Sequence, residues 1–478
     1  MKRKNMSIIL TALIVLSLSM SISYNVNALK PKPAQVTIEL WYTENPTETV
    51  TLLKKIAMFE TLNPTITVDA EAHGFFDVAN DYRVAFVAGE EPDVLRTPRD
   101  DVPWFAYDGL ILPLTDEFTP ADLDDFLEPS IKLMTYAGEI WGFPQAIDCP
   151  MFLFNKELFN ASGLDASTID WSTSWTWPEF SGNIVRLNTT AGVYALSLAG
   201  MFYGAQPFYY GQGAYFVENN IYDVPHIAIN NQKTRDALTF MKNVTDSTVT
   251  PPWEEQGWSY FVGDFGVGDV AMIATGPWQI VDLITNHPQF NGDVYGPENL
   301  GFMQLPHDAE DNYGALVGGN YYTISSQIET AKYDEAVLLT KFLSSHLAMS
   351  ISAIDDYHVP ARKSVMTNLT VMAAPSFEYV EPYYQQAVNA HLLQPSPYYG
   401  RMENAFGTRV DEYLAGDIDL DECIEKTIQD WYDIPLPGVP APPAEEILIP
   451  GFPVPAVVAI LLTGILGVVV YMIRKKKK

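Results

Sequence analysis

From Gln35 to Trp41 apolar and polar residues alternate, the period of a strand with one face buried. From Glu48 to Leu62 the apolar residues return at helical spacing, through Val50, Leu53 and Ala57, and Asn63-Pro64 stops the run. Ile66 to Glu71 reads as a second strand, Phe76 to Ala88 as a helix closed by Gly89, and Pro92 to Leu95 as a short third strand. Strand, helix, strand, helix, strand is the order of a doubly wound α/β sheet, in which the loops after the strands gather at one edge and hold ligands. Those loops carry polar groups here. Thr43-Glu44-Asn45 follows the first strand, His73 the second, and Arg96, Arg99 and Asp100 the third. Each alone suits a solvated loop or a helix cap; their shared placement after successive strands favours a binding edge.

Further along, FGVGDVAMIATGPW (Phe265 to Trp278) gives an apolar strand, Val270 to Ile273, running into the turn Thr275-Gly276-Pro277 and delivering Trp278. An indole fixed at the end of a strand is a flat plate that can stack on the C–H face of a sugar ring, and it equally suits a core. Both readings stay open from this stretch alone.

The ends of the chain change the picture. Lys2, Arg3 and Lys4, the apolar run Ile8 to Met20 and the small-residue site Val26-Asn27-Ala28 have the form of a secretory signal peptide over residues 1–28, cleaved before Leu29. Val454 to Ile473 carries no charge and matches a bilayer-spanning helix, and the basic tail from Arg474 to Lys478 stays in the cytoplasm. Proline clusters between residues 433 and 453 form a semi-extended stalk. The expected protein is thus a single-pass cell-surface protein with an extracellular body. Sequons at Asn160, Asn188, Asn243 and Asn368 are glycosylation candidates.

The 478 residues are 47% hydrophobic, enough for two or more domains with substantial cores. A net charge of −31 repels a phosphate backbone, so no nucleic acid is expected as partner. Two cysteines, Cys149 and Cys423, make no disulfide framework.

In order along the chain, LWYTENPTETVTLLKKIAMFETLNPTITV, AGEEPDV, WFAYDGLILPLTDEF, IWGFPQAIDCPMFLFNKELF, WTWPEF, FGVGDVAMIATGPW, LGFMQLP, LVGGNYYTIS, KFLSSHLAMS and YLAGDIDLDECIEKTIQDW together resemble the solute-binding proteins of ABC importers, nearest the maltose and trehalose/maltose branch. The resemblance covers residues 36 to 432. It implies an α/β clamp of two discontinuous lobes, 36–146 with 303–347 and 147–302 with 348–432, closing on a sugar. It implies as ligand contacts Glu44 beside Asn45, Asp100 with Arg99 and Arg96, Asp148 in QAID, and the stacking Trp278. Gly319 and Asn320 would line the cleft from the other lobe, with Arg401, the aromatic pair Phe208 and Tyr209, and Tyr321 further candidates, and His73 at the same edge. Carboxylates and guanidinium forks suit sugar hydroxyls, which both donate and accept. The sequence LRTPRDD departs from the family, which usually has an aromatic residue here; its two added arginines suggest a different or partly anionic ligand and put maltose itself in doubt. The implied partners are an oligosaccharide and ABC permease subunits, with a monomeric body and no cofactor.

Two rivals remain. Paired carboxylates could serve a glycoside hydrolase, although HExxH, GxSxG, CxxC and phosphate-loop patterns are absent. A structural or glycan-sensing surface protein is the other. Asp417, Asp419 and Asp421 have the opening spacing of a calcium loop, but Glu422 stands where glycine is required, which favours an acidic cap on a helix Leu420 to Trp431.

Overall fold

The structure, a computed structural model, describes residues 35–434 apart from 200–201, 219–225, 307–313, 391 and 393–394. The expected signal peptide, the stalk beyond Ile434, the apolar span and the basic tail lie outside the described residues.

Strand β1 (Val36–Tyr42) buries Ile38 and Leu40 and turns Thr37 and Glu39 the other way. Helix α1 (Pro46–Leu62) starts at Asn45, whose side chain accepts from the Thr47 and Glu48 amides while Glu48 answers the Asn45 amide. This capping box, with proline in the first turn, is why the helix begins here. Strand β2 (Ile66–Ala72) lies parallel to β1. Helix α2 (Val78–Ala88) ends at Gly89, whose φ of 72° is left-handed. Strand β3 (Val94–Pro98) is buried throughout and runs further than the expected Leu95. Arg96 therefore sits inside a strand rather than in the loop beyond it. Helix α3 (Val102–Asp108) follows.

The chain then returns through β4 (Phe143–Asp148) and, after only Cys149-Pro150, enters a second sheet as β5 (Met151–Asn155). In the second half, helices α4 (Trp177–Ala191), α5 (Phe202–Gly211), α6 (Gln232–Thr245) and α7 (Trp258–Val267) surround β5, β6 (Met272–Thr275) and β7 (Leu300–Met303). The expected strand Val270 to Ile273 is shifted by two residues, and Phe265 to Val267 closes α7, with Gly268 at φ 91°. Strand β8 (Gly318–Ile324) goes back to the first sheet, whose order is β2-β1-β3-β8-β4, with β8 antiparallel to both neighbours. The second sheet is β6-β5-β7, antiparallel.

Helices α8 (Tyr333–Leu343) and α9 (His346–Asp355) pack on the first half: Lys55 Nζ donates to Ser352 Oγ at 2.7 Å. Arg362 pairs with Asp122 and Asp125, and the Ile147 amide donates to the Val359 carbonyl. The stretch from His346 to Arg362 thus belongs with the first sheet, beyond the expected limit at residue 347. Helix α10 (Phe377–Asn389) straddles the crossing, where Tyr383 donates to the Thr275 carbonyl at 2.9 Å and Cys149 to the Tyr383 carbonyl. Helices α11 (Tyr399–Ala415) and α12 (Leu420–Asp433) complete the second half, with the Trp431 indole bonded to the Met402 carbonyl. Asp419 caps α12 by accepting from the Glu422 amide at 2.9 Å, and Asp421 pairs with Arg235. Cys149 and Cys423 are both free and buried.

Among the described residues no single helix is long and apolar enough to cross a membrane; the bent pair α8 and α9 passes by length and composition together, but it is packed on α1.

Candidate functional site

Two arginine-centred clusters lie at the C-terminal edge of the first sheet. In the first, the Glu44 carboxylate is almost fully enclosed. One oxygen accepts from Gln145 Nε2 at 2.8 Å and faces Arg96 Nε at 3.3 Å; the other accepts from the Thr43 amide. Arg96 also donates to Gln145 Oε1 at 2.5 Å and to the Thr43 hydroxyl. Beside this group His358 stands between Asp356 at 2.8 Å and Glu48 at 3.5 Å. Burial pushes the imidazole down, but the two carboxylates outweigh it and raise its pKa; burial raises Glu48 and lowers Lys55.

The second cluster is built where the two halves meet. Arg99 follows β3, pairs with Asp100 at 3.1 Å, and donates to the Val317 carbonyl. Its guanidinium lies 5.8 Å from the Tyr399 ring, on α11 in the other half. Tyr399 donates to Glu403 at 2.8 Å, and Gln206 of α5 donates to the same carboxylate oxygen. Burial works against the charge on Arg99, yet Asp100, Tyr399, Glu403 and Asp148 together raise its pKa. Glu403 is pushed up to about 8, by burial first and then by Asp100. Asp148, the last residue of β4, is pushed up to about 6 by burial, against the pull of Arg99. Asp148 faces Gly318 across the ladder, where an added Cβ would lie 2.2 Å from its Oδ1, so glycine makes the room for this carboxylate.

Around this second cluster polar atoms are left over. Asn320 Oδ1, Tyr321 OH and Tyr203 OH are buried without a hydrogen-bond partner. The charges that act on Tyr321 are Asp148, Arg99 and Asp100, and those on Tyr203 include Asp148 and Arg99. Gly319 contributes its carbonyl to the Arg99 amide and takes φ 155°. The half-buried Trp278 lies over Gly276, where a Cβ would come within 2.0 Å of the indole, and 6.1 Å from the Tyr203 ring.

The other expected residues have different surroundings. Asn45 is the helix cap described above. His73 stacks on Trp41 at 3.8 Å and pairs with Asp81. Phe208 is packed among Phe152, Phe180, Trp177 and Phe240, and Tyr209 bonds Thr234 and the Tyr215 carbonyl in the core of the second half. Arg401 stacks on Trp104 of α3 at 4.9 Å and on Tyr398 at 5.7 Å, so it ties the halves together at their rim. Of the sequon residues, Asn160 accepts from the Ala166 amide, Asn188 donates to the Val193 and Thr248 carbonyls, Asn368 caps a short helix, and Asn243 is exposed. Sequence reasoning missed Tyr203, Gln206, Tyr399 and Glu403, because nothing in their local pattern marks them; only the packing of α5 and α11 brings them to Arg99.

Two α/β halves, joined where β4 runs into β5 and meeting where Arg99 beside the first sheet faces Tyr399 of α11, define a two-lobed binding-protein fold. The family profile described as bacterial extracellular solute-binding protein matches residues 44–346, more than half of the chain, and the chain belongs to that family. It is 23% identical over 299 residues to the galactooligosaccharide-binding protein of Bacillus subtilis (strain 168), a match covering 61% of this chain and 65% of that protein. It is 23% identical over 277 residues to the arabinooligosaccharide-binding protein of Halalkalibacterium halodurans, covering 55% of this chain and 57% of that one. The chain thus spans less than two thirds of either relative's length. Among solved structures, the GacH receptor of Streptomyces glaucescens GLA.O aligns with a TM-score of 0.73 at 22% identity, over 84% of this chain and 98% of that one. Maltose-bound MalE3 of T. maritima aligns with a TM-score of 0.72 at 20% identity, over 84% and 100%. These structural likenesses concern the fold.

Proposed function

We propose that the protein captures an oligosaccharide between its lobes and delivers it to an ABC permease, held at the cell surface by the C-terminal span. The observation that carries the reading is the set of buried, unpartnered oxygens of Asn320, Tyr321 and Tyr203 around the Arg99 cluster. A buried polar group without a partner costs about 1–3 kcal/mol, and sugar hydroxyls, which donate and accept, satisfy such groups. Asp100, Asp148 and Glu403 accept from hydroxyls, Arg99 donates, and Trp278 covers a C–H face. The Glu44–Arg96 cluster acts as the support behind this edge. Sugar-binding relatives are in keeping with the reading. The lobes close on the ligand, and the closed surface is what the permease senses.

Thermal unfolding with a glycan panel tests this. A ligand at a hundred times its Kd adds about 2.7 kcal/mol of stability. The expected result is such a shift with an oligosaccharide and its loss in Trp278→Ala. No shift with any glycan overturns the reading.

A further inference from the structure

The arginines of LRTPRDD would suit an anionic ligand if they were free, but the structure occupies both. Arg96 is enclosed by Glu44, Gln145 and the Thr43 hydroxyl. Arg99 is engaged by Asp100 and the Val317 carbonyl. What faces the meeting line of the two halves is instead an excess of acid. Asp100, Asp148 and Glu403 all act on Arg99; Arg96 and His358 also reach Asp148, but Arg96 is paired with Glu44 and His358 with Asp356 and Glu48. The Glu403 carboxylate has two neutral donors, Tyr399 and Gln206, on one oxygen. The cluster also contains buried oxygens with no partner, Tyr321 OH and Asn320 Oδ1, which are acceptors for a donor brought by the ligand.

We propose that the bound oligosaccharide carries a protonated amine, whose N–H groups are received by the carboxylates around Arg99 and the unpartnered oxygens of Asn320 and Tyr321. The proposal rests on the oligosaccharide reading and narrows it. An ammonium group supplies several donors and a positive charge, and its bonds to carboxylates are about twice as strong as neutral ones. It also relieves the repulsion among acids crowded in a desolvated space. Burial first, with the Asp100 charge adding to it, raises Asp148 and Glu403 in the unliganded protein, which is the condition a cationic ligand reverses. A uronate would add a further negative charge to the same space.

The test is titration calorimetry at pH 6 on the full-length protein in detergent. The probes are the β-1,4-linked glucosamine tetramer, cellotetraose (the same backbone with hydroxyl in place of amine), maltotetraose and tetragalacturonate. The glucosamine tetramer is expected to bind at least tenfold more tightly than cellotetraose, and tetragalacturonate most weakly. Glu403→Gln keeps an oxygen for Tyr399 and Gln206, and Asp148→Asn keeps the shape; each is expected to cut the ratio of the first two affinities at least threefold. Equal affinities for glucosamine tetramer and cellotetraose, tightest binding of maltotetraose or tetragalacturonate, or a ratio unmoved in both variants overturns the amine while the sugar reading stands. Absence of binding by all four overturns both.

Discussion

Arg96 inside β3 and Arg99 just beyond its end are three residues apart and both meet carboxylates, yet they are set in opposite surroundings. Arg96 has a closed shell: Glu44, Gln145 and Thr43 bond each other as well as the guanidinium, and all come from the first half. The Arg99 shell is assembled from both halves and leaves polar atoms over. A buried charge with every bond made is a scaffold; one ringed by unpaired polar atoms where two halves meet is, on the proposed reading, where a ligand completes the set. A charged residue type at a sheet edge does not distinguish these cases, whereas the count of satisfied bonds does.

The largest effect expected from this contrast is on stability. Arg96→Met leaves Glu44 buried without its cation and should cost about 3–5 kcal/mol in chemical denaturation. Stability equal to that of the unaltered protein would erase the distinction between the two clusters. Next comes Trp278→Ala, expected to weaken glycan binding by about 2 kcal/mol or more. Its stability loss should stay below the roughly 3–5 kcal/mol of a core tryptophan. Calorimetric titration beside thermal unfolding separates the two, and unfolding without loss of affinity would move this indole into the core.

Asp148→Asn sharpens the comparison through pH. A carboxyl raised from the usual 3.8 to about 6 holds its proton more readily folded than unfolded. The unliganded protein therefore loses stability as pH rises through that window. The asparagine variant should unfold at a higher temperature than the unaltered protein at pH 7.5, equal it near pH 3, and bind glycan more weakly. A Tm difference independent of pH would sink this account. The smallest effect is that of Asn45→Ala, which removes a helix cap worth about 1 kcal/mol and should leave glycan affinity unchanged; weakened binding at full stability would return Asn45 to the site.

Much of the first half was legible because its signals are local. The alternation of Gln35 to Trp41, the Asn63-Pro64 stop and Gly89 each act within a few residues, and the structure places elements there with shifts of one to three positions. The shift at β3 mattered most, since it turned Arg96 from a loop residue into a buried one. Phe208 and Tyr209 illustrate the opposite limit. An aromatic pair on a helix suits a sugar platform or a core, and only the rings of Phe152, Phe180 and Phe240 around Phe208 show the packing that it has.

By itself the sequence determined the α/β alternation, the chain's passage between two halves and the family. Capping, strand period and apolar spacing are short-range, and the ordered motifs add specificity without any geometry. Only the tertiary structure decided which arginine is enclosed within one half and which is shared between the two, and brought Glu403, Tyr399 and Gln206 to Arg99 from distant helices. Burial and hydrogen-bond satisfaction depend on partners gathered through space, so a residue's role at this edge is fixed by the two halves together and not by its neighbours in the chain.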